Sequence, residues 1–167
     1  MTSPFRSAPG QATRRQALAY GLAAVAVGST GGTALADPAT HTVQARGVKF
    51  APMFIYIEPG DTVAWENMPS HNIETIDEMV PEGQTKVMSA LGENYFTTFD
   101  TVGIVVYKCT PHWGARMGGI IVVGKPDNPE GIIDAYMDST EEFKQNLPAR
   151  GLLKKLKKDM QEKGLLA

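Results

Sequence analysis

The chain has 167 residues, 43% of them apolar, with 17 Gly, 11 Pro and a net charge of −2; this suits one ordinary core with many turns and disfavours a helical bundle. No stretch reads as the roughly 20 apolar residues of a membrane span, so stable membrane insertion is not expected. The single cysteine, Cys109, excludes an internal disulfide framework.

Residues 1–36 read as a signal peptide. Their only charged residues are Arg6, Arg14 and Arg15. Arg14-Arg15 precedes the apolar run Ala17 to Gly28, and Ala34-Leu35-Ala36 makes a small-x-small cleavage site before Asp37. Thr13-Arg14-Arg15-Gln16-Ala17-Leu18 resembles a twin-arginine signal, with Ala17 where Phe is usual, so the ordinary secretory route stays open. Export to the periplasm with cleavage after about Ala36 is expected. The remainder then carries 13 Lys+Arg against 18 Asp+Glu, a net charge near −5, which argues against nucleic acid as a partner. A lone thiol in an oxidising compartment needs a reason to be there.

Residues 37–125 read as a β-domain. Val48 and Phe50 lead into Ala51-Pro52, and Met53 to Ile57 is a short run rich in strand formers. Glu58-Pro59-Gly60-Asp61 is a turn, Thr62 to Glu66 resumes the strand, and Asn67-Met68-Pro69-Ser70 breaks it. His71 to Ile76 reads as a further short strand, and residues 77–94 as a long loop with one helical turn. Tyr95 to Phe99, Ile104 to Tyr107 and the buried Gly119 to Gly124 complete a set whose spacing indicates a sandwich or barrel. Residues 126–167 change character. Pro129-Glu130 opens a helix with Ile132, Ile133, Tyr136 and Met137 on one side, and residues 141–147 extend or restart it before Pro148. Leu152, Leu153, Leu156 and Met160 then mark one face of a terminal helix whose lysines lie elsewhere. Packing on its own domain is favoured over binding an anionic membrane.

The chemistry concentrates in Tyr107-Lys108-Cys109-Thr110-Pro111-His112-Trp113-Gly114-Ala115-Arg116-Met117. A soft thiolate, an imidazole and a thioether on one loop between two strands are a ligand set for copper. A trigonal site needs a second imidazole, and only His41 and His71 remain. His71 follows a loop break that a β-domain brings to the same end, whereas His41, near the start of the β-domain, is the poorer candidate. Each residue has a plainer reading, as buried small hydrophobe, satisfied histidine or core methionine. Together the Cys-x-x-His-x₄-Met spacing, the distant His, the β-pattern and the export signal favour copper. Structural zinc would want more thiolates or imidazoles and no Met, and a c-type haem would want Cys-x-x-Cys-His.

These stretches resemble the cupredoxins, the type 1 (blue) copper proteins, and within them the pseudoazurin family. The resemblance is carried by Glu58-Pro59-Gly60-Asp61-Thr62-Val63, His71-Asn72-Ile73-Glu74-Thr75-Ile76, Pro81-Glu82-Gly83, Glu93-Asn94-Tyr95 and Tyr107 to His112. It implies a mainly β Greek-key sandwich with C-terminal α-helices. It also implies one type 1 copper ion held by His71, Cys109 and His112 in the equatorial plane and by Met117 as the long axial ligand. Asn72 takes the place of the residue whose N–H donates to the sulfur and whose side chain braces the ligand loops, with Thr110 as a partner. His112 is implied to be the exit for the electron, through an apolar patch of Pro111, Trp113 and Met53 or Pro52, with core packing an equal alternative for Trp113.

The implied function is a monomeric electron shuttle, not an enzyme, moving single electrons between redox partners such as a periplasmic reductase or a cytochrome c. A copper carrier or chaperone is the alternative; the eight Met form no cluster that would favour it. A nitrite reductase would need a second copper site with more than the three histidines present. One departure stands out. The family commonly rings the patch with lysines, while this β-domain is acidic and offers Arg116, Lys86, Lys49 and Lys108 as its few candidates.

Overall fold

The computed structural model describes residues 37–166; the expected signal peptide lies outside them. Eight strands follow in chain order: β1 (Thr40–Arg46), β2 (Lys49–Ala51), β3 (Phe54–Ile57), β4 (Asp61–Glu66), β5 (Glu74–Thr75), β6 (Tyr95–Phe99), β7 (Gly103–Lys108) and β8 (Gly118–Val123). They form two four-stranded sheets, ordered β2-β1-β4-β6 and β3-β8-β7-β5. β1 runs parallel to β4 and β3 parallel to β8; the other pairs are antiparallel. The fold is the mainly β sandwich with C-terminal helices that the sequence implies.

The side-chain pattern explains the layering. In β4, Val63 and Trp65 are buried while Thr62 and Ala64 are only half-buried, the alternation of a sheet with one face toward solvent. β8 has every residue buried and β7 all but its last, so their sheet is covered on both faces. Val105, Tyr107, Ile121 and Val123 meet Val43, Val63, Trp65 and Phe99 in the core between the sheets. Ile104, Val106, Ile120 and Val122 face the other way and need a second cover.

Two helices supply it. α1 (Pro129–Glu142) starts with Pro at its first position, and the Asn128 side chain accepts from the Gly131 N–H at 3.0 Å. α2 (Ala149–Glu162) buries Leu152, Leu153, Leu156 and Met160. The apolar face of the basic helix is therefore used up within its own domain. Lys157 joins α2 to α1 through Glu130 at 2.8 Å and Asp134 at 3.0 Å, and the Tyr56 hydroxyl donates to Asp159 at 2.6 Å. Between the helices the chain leaves helical dihedrals at Phe143 and makes a 3₁₀ turn at Lys144–Asn146, a restart and not an extension of α1. No helix of the described residues is long and apolar enough to cross a membrane.

Two details differ from expectation. The strand expected over His71 to Ile76 shrinks to Glu74–Thr75, because His71 and Asn72 are committed to a loop. The β1 strand, unmarked by any long apolar run, is set by just two inward residues, Val43 and Ala45.

Candidate metal centre

Strand register builds the site. β7 and β8 pair Lys108 with Gly118, so the next step outward sets Cys109 opposite Met117; the Cys109 N–H donates to the Met117 carbonyl at 2.9 Å. β5 and β7 pair Glu74 with Lys108, and continuing that antiparallel register sets Ile73 by Cys109 and His71 by Pro111. One sheet end thus collects both segments that carry the chemistry.

The intervening loop, Thr110–Ala115, is a 3₁₀ segment that departs from helical dihedrals at His112 (φ −112°, ψ 16°). His112 N–H donates to the Cys109 carbonyl at 3.1 Å, and Met117 N–H to the His112 carbonyl at 3.2 Å. Arg116 lies in the left-handed region at φ 62°, the turn that sends the chain back into β8. That conformation suits glycine, so an arginine there is held against its own preference.

The Cys109 sulfur lies 3.6 Å from His71 Nδ1 and 3.4 Å from His112 Nδ1, and the two imidazole centroids are 4.8 Å apart. A first-row ion with about 2.3 Å to a thiolate and about 2.0–2.1 Å to an imidazole spans such S–N separations at angles of roughly 100–115°. The sulfur and the two imidazoles are therefore spaced for one small soft-to-borderline ion. Cys109 and His71 are buried and His112 is half-buried; Met117, 1% exposed, belongs to the same apolar cluster as Cys109. Burial, and then the neighbouring His112, hold the His71 pKa below its ordinary value, which favours the neutral imidazole that can ligate.

A polar brace surrounds the candidate ligands. Thr110 N–H donates to Asn72 Oδ1 at 2.8 Å, Asn72 Nδ2 donates to Thr110 Oγ1 at 3.1 Å, and the Thr110 hydroxyl donates to Glu74 at 2.6 Å. Glu74 in turn pairs with Lys108 at 3.3 Å. The side-chain brace assigned to Asn72 and Thr110 is present. The N–H of Asn72 expected on the sulfur is not among the hydrogen bonds of the described residues.

His41 stands elsewhere. Its Nε2 lies 2.8 Å from Asp61 Oδ2, where β1 runs beside β4, which satisfies it locally. Asp61 also accepts the Ala39 N–H at 2.7 Å and the Glu58 N–H at 3.1 Å; the Ala39 bond first, then His41, hold its carboxyl below the usual range.

Several contacts escape sequence reasoning. Ile73 N–H donates to Ser89 Oγ at 2.9 Å and Gly92 N–H to the His71 carbonyl at 2.9 Å, so residues 88–92 lie against the His71 segment and carry the exposed Met88 and Leu91. Of the two readings of Trp113, the structure takes the packed one: it is half-buried against the helix-side cluster. Of the four candidates for a cationic ring, Lys86 pairs with Asp77 at 3.1 Å and Lys108 with Glu74. Lys49 and Arg116 instead share a cleft of about 200 Å³ beside the ligand loop with Lys155 from α2, and no salt bridge among the described residues involves these three. Nothing in the sequence spacing announces that Lys155 reaches this pole.

A two-sheet sandwich that gathers one cysteine sulfur, two imidazoles and a buried thioether at one pole belongs to the cupredoxin class, a fold built around copper. Residues 38–124 match the copper binding proteins of the plastocyanin/azurin family, and the chain belongs to that family. It is 38% identical to the pseudoazurin of Paracoccus pantotrophus over 109 residues, 59% of this chain and 74% of that protein. The pseudoazurin of Methylorubrum extorquens is 36% identical over 48% of this chain and 56% of its own length. The crystal structure of native pseudoazurin from Hyphomicrobium denitrificans superposes with a TM-score of 0.52 and 32% identity, covering 57% of this chain and 81% of that one.

Proposed function

We propose that this chain is an exported one-electron carrier in which His71, Cys109, His112 and Met117 hold a single copper ion. The observation that carries the reading is the grouping of Cys109 with two imidazole nitrogens at 3.4–3.6 Å, inside a sandwich of the copper-binding family. Copper in such a site supplies a one-electron couple. The protein does the rest. Cys109 offers a thiolate in an apolar, buried position, and His71 anchors the site from the second segment. Met117 presents a soft thioether whose strength as a donor tunes the potential. The Asn72–Thr110–Glu74 bonds keep the two ligand segments in register, so little has to move when the charge changes. Half-buried His112 is the group through which an electron leaves, next to exposed Pro111.

Periplasmic location follows from the signal-like residues 1–36 and accords with an acidic remainder carrying a lone buried thiol. The partners are redox proteins, a reductase or a cytochrome c among them. The cleft that Lys49, Arg116 and Lys155 line beside the ligand loop, with no salt bridge to any of them among the described residues, favours an acidic docking face on the partner. Voltammetry of the copper-loaded protein tests the function: a reversible one-electron couple with rapid exchange to a redox protein is expected. Fast copper transfer to an apoprotein without electron exchange would make it a copper carrier instead.

A further inference from the structure

The ligand loop has a contact that its copper chemistry does not require. Trp113 follows His112 directly, and its indole Nε1–H donates to the Gln145 carbonyl at 2.9 Å, in the linker between α1 and α2. The ring packs into the cluster of apolar residues under the helices. A Cβ placed on Gly118, the first residue of β8, would sit 2.7 Å from the Tyr107 carbonyl oxygen, 2.8 Å from Leu152 Cδ1 and 3.0 Å from Trp113 Cζ3, so strand, helix and indole close tightly around this glycine. The next linker residue, Asn146, is buried and donates from Nδ2 to Glu78 Oε2 at 2.8 Å. Glu78 lies in the 3₁₀ turn Asp77–Met79 that follows β5, on the segment entered from His71. Two adjacent linker residues therefore hold both segments that carry the site.

We propose that Trp113 is a positioning residue for the ligand loop, and that the inter-helix linker is the brace through which it acts. The inference rests on the reading of His71, Cys109, His112 and Met117 as copper ligands. Its logic is mechanical. Thr110 is braced by Asn72 and Glu74, but beyond it Pro111, Gly114, Ala115 and Arg116 are exposed, and the loop is closed there by its own backbone, with Arg116 N–H donating to the carbonyl of Trp113 itself at 2.8 Å. The bonds that close it on itself at His112, of 3.1 and 3.2 Å, sit at the long end of the usual range. Anchoring the residue next to His112 narrows what the imidazole samples, and a ligand ordered in advance loses less freedom when an ion arrives. The helices are thereby more than a cover for the outer face of a sheet; their linker holds the geometry of a site built on two strands.

Hydrogen exchange on the metal-free protein tests this. Trp113→Phe keeps an aromatic ring and removes the donor. Asn146→Ala frees the linker from Glu78 without touching the ligand loop. In W113F the amides of residues 112–117 should exchange roughly two- to tenfold faster, the span of one neutral hydrogen bond, while those of Val105 and Ile121 stay unchanged. N146A should speed the same amides, and the double variant should fall short of the product of the two effects. Loaded with copper, both variants should alter the relative intensities of the thiolate absorption bands. Unchanged loop exchange in both variants overturns the proposal, and so does acceleration spread evenly over the sandwich, which would mean lost stability alone. Failure of the copper reading is separately visible: the unaltered protein would bind no copper while its loop exchange still answered to W113F.

Discussion

Cys109 is the one cysteine of the chain and the one soft sulfur donor flanked by both imidazoles. Cys109→Ser removes the soft donor while changing little volume, so the fold should survive and the visible absorption should vanish, as a spectrum of the copper-loaded variant would show. Met117→Leu keeps the buried volume near Cys109 and removes only the thioether. Copper should still bind at one equivalent, with the reduction potential moved, as voltammetry measures; an unmoved potential would exclude Met117 from the ligand set. Asp61 illustrates a different residue-scale effect, one of stability. Its folded pKa is held below the ordinary 3.8, first by the Ala39 N–H and then by His41. The stabilisation is thus fully present above the unfolded value and is lost as pH falls through the folded one. Asp61→Asn should cost about 1–2 kcal/mol at neutral pH, and the gap to the parent in urea denaturation should close at pH values below 3.8.

At the scale of elements, the sheet that carries the ligand loop needs cover on both faces, and the helices give it. Leu156 is wholly buried in that layer. Leu156→Ala should lower stability by about 2–5 kcal/mol in chemical denaturation, with the copper spectrum of the folded fraction unchanged. The same scale shows what was legible in advance. Strands rich in β-branched residues and bounded by turn signals, such as Thr62 to Glu66 and Tyr95 to Phe99, can be read because burial on one face leaves an alternation. The helical face of Leu152, Leu153, Leu156 and Met160 is legible for the analogous 3.6-residue reason. The three candidate ligands on one loop are legible because their chemistry is local. The contacts of Trp113 with Gln145, Asn146 with Glu78, and Ile73 with Ser89 join residues from 16 to 68 positions apart, and no local pattern encodes them. The strand expected over His71 to Ile76 is drawn too long for a related reason: Asn72 is tied to Thr110, 38 positions away, and that contact keeps the start of the segment in a loop.

At the scale of the whole molecule, charge is unevenly spread. The residues after 36 carry a net charge near −5, yet Lys49, Arg116 and Lys155 line one cleft beside the ligand loop. At about 0.1 M ionic strength the screening length is about 10 Å, so the local cleft outweighs the distant acidic surface. An anionic oxidant should then react faster than a cationic one of similar driving force in stopped flow. Neutralising Lys49, Arg116 and Lys155 to Gln should slow the anionic reaction roughly two- to tenfold. Electron carriage by this chain requires that the group at the sandwich pole be a single copper site with Cys109 as thiolate ligand. Titrating the metal-free protein with Cu(II) under a visible spectrophotometer tests it most directly. One equivalent should raise an intense absorption that saturates, and Cys109→Ser should abolish it. A colourless complex, or colour that persists in Cys109→Ser, would contradict the claim.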